Sequence, residues 1–288
     1  MQSREILLKY IEANWDIHAP VIVSSFQTFP TREVLAISSG DNKFAVKIDS
    51  NPPTEIATKS VIDYLRQRSF THCPQMIARR NGEFSLQING TNIAIFEFIP
   101  VELCTPESWR KLGVVAAKLN QNFDYPRAYQ VPPLGVIKEL KSWCQGKAFQ
   151  KSFLDILEKV EPCIGLTTLS GLVHGEVNFA NARARENGEV VLLDWDNTGM
   201  GPIEIELGYP LLSVFLNPTT LVFDYKSATN YYSGYFSITS RSTVKTKTLW
   251  GFALLYALRS MTYFDSEHRW SRVQNALNRA DDIIKVIG

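Results

Sequence analysis

The sequence predicts an α+β protein in two parts: a small antiparallel sheet carrying one helix, then a larger and mostly helical part. Three observations support this. The first hundred residues hold five short runs rich in β-branched and aromatic residues, set apart by turn signals. After Pro100, apolar residues recur at helical spacing in one segment after another. Among those helical segments only "VVLLDW" (190–195) and the weaker "NARAR" (181–185) read as strands.

Taken in order, "PVIVSSF" (20–26), "REVLAIS" (32–38) and "KFAVKID" (43–49) are the first three expected strands, with "GDN" (40–42) as the turn between the second and third. "PPTEIATKSVIDYLRQRS" (52–69) has helical spacing and opens on prolines, as helix starts often do. "EFSLQI" (83–88) and "TNIAIFEF" (91–98) flank Asn89-Gly90, a strong hairpin signal. Helices are expected over 106–123, 135–149, 153–160, 204–216, 243–264 and 269–287. The expected domains are therefore 1–99, sheet-rich, and 100–288, helical, joined near "FEFIPVE" (96–102). A crevice between two such lobes is a usual place for a ligand.

Composition narrows the function classes. Of the 288 residues, 45% are hydrophobic and 20% charged, the profile of a globular protein with a sizeable core. Lys plus Arg total 30 against 29 for Asp plus Glu, so no global field recruits nucleic acid or an anionic membrane. The N-terminal segment carries charges inside its apolar pattern, unlike a secretory signal. The most apolar run, "LWGFALLYAL" (249–258), is too short to span a bilayer. Cys73, Cys104, Cys144 and Cys163 are too scattered for a zinc knuckle or redox pair and read as free thiols of a reducing compartment, so a cytoplasmic location is expected. His18, His72, His174 and His268 show no metal-ligand spacing.

The chemistry concentrates in "LVHGEVNFAN" (172–181) and "LLDWDNTGMGPIEIELG" (192–208). There His174, Glu176, Asn181, Asp194 and Asp196 stand close together with glycines between them. This block resembles the aminoglycoside phosphotransferase and choline kinase family, small-molecule kinases with a protein-kinase-like two-lobed fold. The family pattern is His-Gly-Asp, four residues, Asn, an apolar strand ending in Asp, a glycine-containing loop, and an acidic residue entering a helix. All of it except the first Asp stands here at the right spacing, and the order of elements agrees over nearly the whole chain. The resemblance implies an ATP- (or GTP-) and Mg2+-dependent phosphotransferase acting on a hydroxyl of a small molecule.

The residue types suit that chemistry. Phosphoryl transfer calls for positioning and for neutralising phosphate charge. Magnesium prefers oxygen ligands and is usually held by one or two carboxylates. Asp194, expected to end a strand, and Asn181, a neutral amide on the preceding loop, form the expected magnesium pair. Glu176 on the same loop is placed to accept or orient the proton of an attacking hydroxyl. His174 and Gly175 would fix the loop backbone, and Asp196 would add charge or bind substrate. Lys47 alternates with Val46 and Ile48 on its strand and suits a phosphate contact. The resemblance implies a helix glutamate pairing with Lys47; Glu55 is the candidate and Asp63 the reserve. It also places adenine on backbone groups of the lobe joint, at Glu97, Phe98 and Ile99, and implies that Glu206 stiffens the catalytic loop from below.

Two departures stand out. Glu176 replaces the family aspartate, one methylene farther from its backbone. The turn expected at "SSFQTFPT" (24–31) has no glycine; either Ser24, Ser25 and Thr28 donate hydroxyls to phosphate instead, or Pro30 simply stiffens a hairpin. Both leave open a kinase-shaped protein that binds nucleotide or metabolite without transfer. From 172 to 210 there are seven acidic residues against two arginines, which favours a neutral or cationic acceptor such as an aminoglycoside, amino sugar or amino alcohol. Tyr209, Asp224, Tyr231, Tyr232, Tyr256 and Asp265 are candidates to line its pocket, though each reads more readily as core or surface.

Overall fold

The computed structural model describes residues 4–29, 32–50, 54–102, 105–122, 124–167, 169–217, 219–241, 244–262 and 266–285. The chain begins with α1 (Arg4–Asn14), β1 (Val21–Phe29), β2 (Arg32–Ser39), β3 (Asn42–Asp49) and α2 (Thr54–Gln67). There follow β4 (Ser85–Ile88), β5 (Thr91–Glu97), β6 (Val101–Glu102), α3 (Pro106–Asn120), α4 (Pro133–Trp143) and α5 (Gln150–Ile164). The strands β7 (Ser170–Val173), β8 (Ala182–Ala184), β9 (Val190–Leu192) and β10 (Gly199–Pro202) come next. The chain ends with α6 (Glu204–Ser213), α7 (Tyr225–Phe236), α8 (Thr246–Ser260), α9 (Ser266–Asn278) and α10 (Ala280–Ile284). This is the expected α+β class, a five-stranded sheet followed by a mainly helical region.

Met1–Val101 and Ala184–Asp196 form one compact unit; Glu102–Arg183 and Asn197–Gly288 form the other. Residues 184–196 thus cluster with the N-terminal sheet, apart from their neighbours in sequence. The cause is side-chain chemistry. Arg185 clasps both carboxylate oxygens of Glu97 at 2.8 and 3.0 Å, reaches Glu189 at 2.7 Å, and donates to the Thr71 carbonyl at 3.1 Å. The Leu192 N–H donates to the His72 carbonyl at 2.9 Å.

In the first unit the sheet is antiparallel in the order β1-β2-β3-β5-β4. The β4–β5 hairpin turns at Asn89 and Gly90, both at positive φ (50° and 76°), the geometry that favours an Asn-Gly pair. Leu35, Ile37, Val46, Ile93 and Ile95 form one apolar face, covered by Leu7 and Ile11 of α1 and by Trp15 and Ile17. The alternation of a strand then sends Lys47 and Asp49 to the opposite face. The helix α1 was not among the expected elements. Leu7 and Ile11, one turn apart, are both buried, while Arg4, Glu5, Lys9 and Glu12 take other positions, so the broken apolar pattern is an amphipathic one.

The second unit holds the remaining helices and the β7–β10 ribbon, which pairs Gly199 with Val173 through Pro202 with Ser170. Its core includes Trp109, stacked on Phe179 at 3.6 Å, and Phe215 and Tyr231 beside it. The helix α7 was also unexpected. Its sequence, YKSATNYYSGYF, is weak in helix formers. Asp224 caps it by accepting from the Ser227 N–H at 3.0 Å, and three of its tyrosines are wholly buried. The single helix expected over 269–287 is two, α9 and α10, broken at Arg279. Cys73, Cys144 and Cys163 are free and buried. Among the described residues no helix is long and apolar enough to cross a membrane.

Candidate active site

In the first unit a cluster of charged side chains sits on the face of the sheet away from α1. Lys47 Nζ donates to Asp194 Oδ1 at 3.0 Å and to Asp196 Oδ2 at 2.5 Å. Thr58, from α2, donates its hydroxyl to the other Asp196 oxygen at 2.9 Å. Arg32 joins the same cluster from the first position of β2. Its Nε donates to Asp49 at 2.8 Å, its Nη2 to Asp196 at 2.8 Å, and its Nη1 lies 3.3 and 3.4 Å from the two Asp194 oxygens. Asp49 and Asp196 are almost wholly enclosed, whereas the Asp194 side chain remains 32% exposed. Burial by itself would lower the pKa of Lys47 and of Arg32. Asp194 and then Asp196 more than reverse that, so both are raised and both stay cationic.

Asp194 does not end a strand as expected. β9 stops at Leu192, and Asp194 follows in a left-handed conformation at φ 59°. Aspartate is among the few non-glycine residues that adopt this region readily.

In the second unit β7 leads into the loop 174–181, and β10 leads into α6. Glu206, in the first turn of α6, is fully buried and turns back to that loop. Its Oε1 accepts the backbone N–H of His174 and, at 2.8 Å, that of Gly175. Gly175 stands at φ 90°, and a Cβ there would lie 2.1 Å from the Tyr129 hydroxyl, so no other residue fits. The loop then braces itself with its own amides. Asn178 donates its side-chain N–H to the Glu176 carbonyl at 3.1 Å and accepts the Asn181 N–H at 2.9 Å. Asn181 Nδ2 also donates to the Glu176 carbonyl at 3.1 Å, which leaves its amide oxygen as the atom able to serve as a ligand.

Electrostatics around Glu206 are set by enclosure. Burial pushes its pKa up to about 7, the two backbone N–H groups hold it down, and the charge of Glu176 adds to the rise. Tyr129 and Tyr256, buried nearby, are also raised, first by burial and then by Glu176 and Glu206 among other neighbours, so neither phenol ionises near neutrality. Tyr231 and Tyr232 of α7 donate to the carbonyls of Glu206 and Leu207 at 2.9 and 2.7 Å. They hold α6 from inside the core, and Asp224 is a helix cap. Tyr209 accepts from Asn178 at 3.2 Å, and Asp265 lies outside the described residues.

Lys47 and Asp194 therefore meet in the first unit, and Glu176 and Asn181 share a braced loop in the second. Glu55 lies on α2, but its side chain is outside the described residues. Asp63 pairs with Lys59 on its own helix. Glu97 is engaged twice over, by Arg185 through its side chain and by the Gln75 carbonyl at 2.8 Å through its N–H. Phe98 and the buried Ile99 follow it beyond the strand. The glycine-free turn is mostly strand. Ser24 and Ser25 pair with Ala36 and Leu35 in the sheet, and the Ser25 hydroxyl accepts from Arg4 at 3.1 Å. The side chain of Thr28 is outside the described residues.

Three residues of the charged cluster were missed. Asp49 was legible, since it lies two positions from Lys47 on one strand and so shares its face. Arg32 follows from the β2–β3 register, which sets it opposite Asp49. Thr58 gave no signal.

The model of the phosphotransferase enzyme family matches residues 32–230, from Arg32 through the whole of both motifs. The chain belongs to the phosphotransferase enzyme family. Solved structures with the same fold include spectinomycin phosphotransferase APH(9)-Ia in complex with ADP and spectinomycin, 13% identical over 98% of this chain and 97% of that one, with a TM-score of 0.65. Aminoglycoside phosphotransferase APH(4)-Ia is 12% identical over 98% of each chain, with a TM-score of 0.63. Choline kinase LicA from Streptococcus pneumoniae is 12% identical over 98% of each chain, with a TM-score of 0.60. No curated protein sequence matches the chain. The fold is thus that of the small-molecule kinases. Asp194, in the first unit, keeps a partly exposed carboxylate, and Asn181, in the second, keeps its amide oxygen; each is an oxygen donor of the kind a hard cation takes.

Proposed function

We propose that this enzyme transfers the γ-phosphoryl group of ATP, or of GTP, to a hydroxyl of a small neutral or cationic molecule of the aminoglycoside, amino sugar or amino alcohol type. The observation that carries the reading is the meeting of Lys47 with Asp194, 147 positions apart in the chain, at 3.0 Å. A strand-borne cation and the aspartate of the second motif are held as one unit on one face of the sheet. In this reading Lys47 binds the nucleotide's phosphates. Asp194 and Asn181 are the residues that hold magnesium, which when bound neutralises phosphate charge. Glu176 orients the acceptor hydroxyl and receives its proton, its backbone fixed by the amides of Asn178 and Asn181. The adenine ring lies against Phe98 and Ile99. With the Glu97 N–H already taken by Gln75, any Glu97 contact to the base is through its carbonyl.

Relatives by fold support the acceptor class, since one was crystallised with ADP and spectinomycin and another is a choline kinase. The acidic excess of 172–210 favours the same kind of molecule. The test is a transfer assay with ATP, magnesium and a panel of amino alcohols and aminoglycosides, run on wild type and Asp194→Asn. Wild type is expected to phosphorylate at least one acceptor. The variant is expected to lose at least ~100-fold in turnover while melting as a folded protein. Undiminished ATP-dependent transfer by Asp194→Asn would refute the assignment.

A further inference from the structure

The role given to Lys47 leaves Arg32 unexplained. A single cation would satisfy a phosphate contact, yet two cationic heads share Asp194 and Asp196. Like charges so close oppose each other, and Arg32 indeed works against the protonation of Lys47. The arrangement stands because carboxylates surround both.

The contacts of Arg32 are unequal. Its bonds to Asp49 and Asp196, at 2.8 Å, have the length of strong charge-assisted hydrogen bonds. These two carboxylates are enclosed, and Asp49 is its cross-strand partner, so they fix the plane of the guanidinium. The third arm, Nη1, reaches Asp194 only at 3.3 and 3.4 Å, beyond the usual range for such a bond. Asp194 is also the most exposed of the three carboxylates. The longest of these three contacts therefore points toward the most accessible acid.

We propose that Arg32 is a second phosphate-binding residue, donating from Nη1 to a non-bridging oxygen of the nucleotide's phosphate tail. Asp49 and Asp196 hold its plane, and Lys47 supplies the neighbouring charge. The bonds to Asp49 and Asp196 keep the guanidinium oriented when Asp194 turns its oxygens to a cation. A planar fork fixed on two sides is suited to a phosphate in a way that a flexible ammonium is not. The proposal rests on the nucleotide-binding reading given above.

The experiment titrates ATP, ADP and adenosine in magnesium by calorimetry against wild type, Arg32→Lys, Arg32→Gln and Lys47→Met, with melting temperatures recorded alongside. Arg32→Gln is expected to weaken ATP and ADP binding by about 10- to 100-fold, the range for a hydrogen bond to a charged group. Arg32→Lys, which keeps the charge against Asp49 and Asp196 but loses the fork, is expected to lose roughly tenfold. Adenosine binding should not change in either. If Arg32→Gln fails to fold, Arg32→Lys decides the question. ATP binding equal to wild type in the folded Arg32 variants, or equal losses for ATP and adenosine, would overturn the proposal and leave Arg32 a structural ion pair. The underlying reading fails differently: wild type binds no nucleotide, or Lys47→Met binds ATP unchanged, and the role of Arg32 then falls with it.

Discussion

Replacing Glu206 by glutamine tests how the loop 174–181 is held. The carboxylate is fully enclosed and accepts two backbone N–H groups, from His174 and Gly175. Burial lifts its pKa from an ordinary 4.5 to about 7 in the folded protein. In the unfolded chain the group ionises near the ordinary value, so below about pH 4.5 both states carry the proton and the group takes nothing from stability. As pH rises toward 7 the unfolded chain loses its proton first, and the folded state is progressively disfavoured. The full difference of about 2.5 pKa units amounts to about 3 kcal/mol, of which ~2 kcal/mol falls between about pH 5 and pH 7.5. Glutamine keeps an oxygen for the N–H groups and cannot ionise. Urea unfolding of wild type and Glu206→Gln at those two pH values should therefore show the variant gaining ~2 kcal/mol relative to wild type at the higher pH. A variant that loses ground at the higher pH would mean that the two N–H groups outweigh burial and that Glu206 is clamped as an anion. That result would refute the reasoning.

Two further outcomes follow from the packing. Gly175→Ala would set a Cβ 2.1 Å from the Tyr129 hydroxyl at a φ of 90°, and is expected to cost at least about 2 kcal/mol in thermal unfolding. An unchanged melting temperature would show that the loop can move aside. Thr58→Val removes the hydroxyl that satisfies Asp196 Oδ1 while keeping its volume. It is expected to destabilise by about 1–3 kcal/mol in urea unfolding, the range for a lost hydrogen bond to a buried charge; no change would mean that Asp196 finds another donor.

The sequence by itself determined the class of fold, the family and the two motifs, because these rest on local signals. Strand alternation and the Asn89-Gly90 turn act within a few residues, and "HGE" with "LLDWD" is a fixed spacing. Alternation also turned Lys47 away from Val46, and Val46 does lie in the apolar core with α1. Local patterns failed where tertiary contacts outweigh propensity. The helix α7 is poor in helix formers and is held by three buried tyrosines. The segment 184–196 joins the first unit because Arg185 finds Glu97, 88 positions away.

The partner of Lys47 shows the same limit. The helix glutamate that the resemblance implies, Glu55, has its side chain outside the described residues, and the described partners are Asp194 and Asp196, with Thr58 of α2 bonded to Asp196 in turn. Which carboxylate meets which cation depends on distances between segments some 150 residues apart in the chain, and no residue spacing encodes those. Only the folded chain decided that Arg32 stands beside Lys47. Residue order fixes which face of a strand a side chain takes, but three-dimensional packing determines what it meets there.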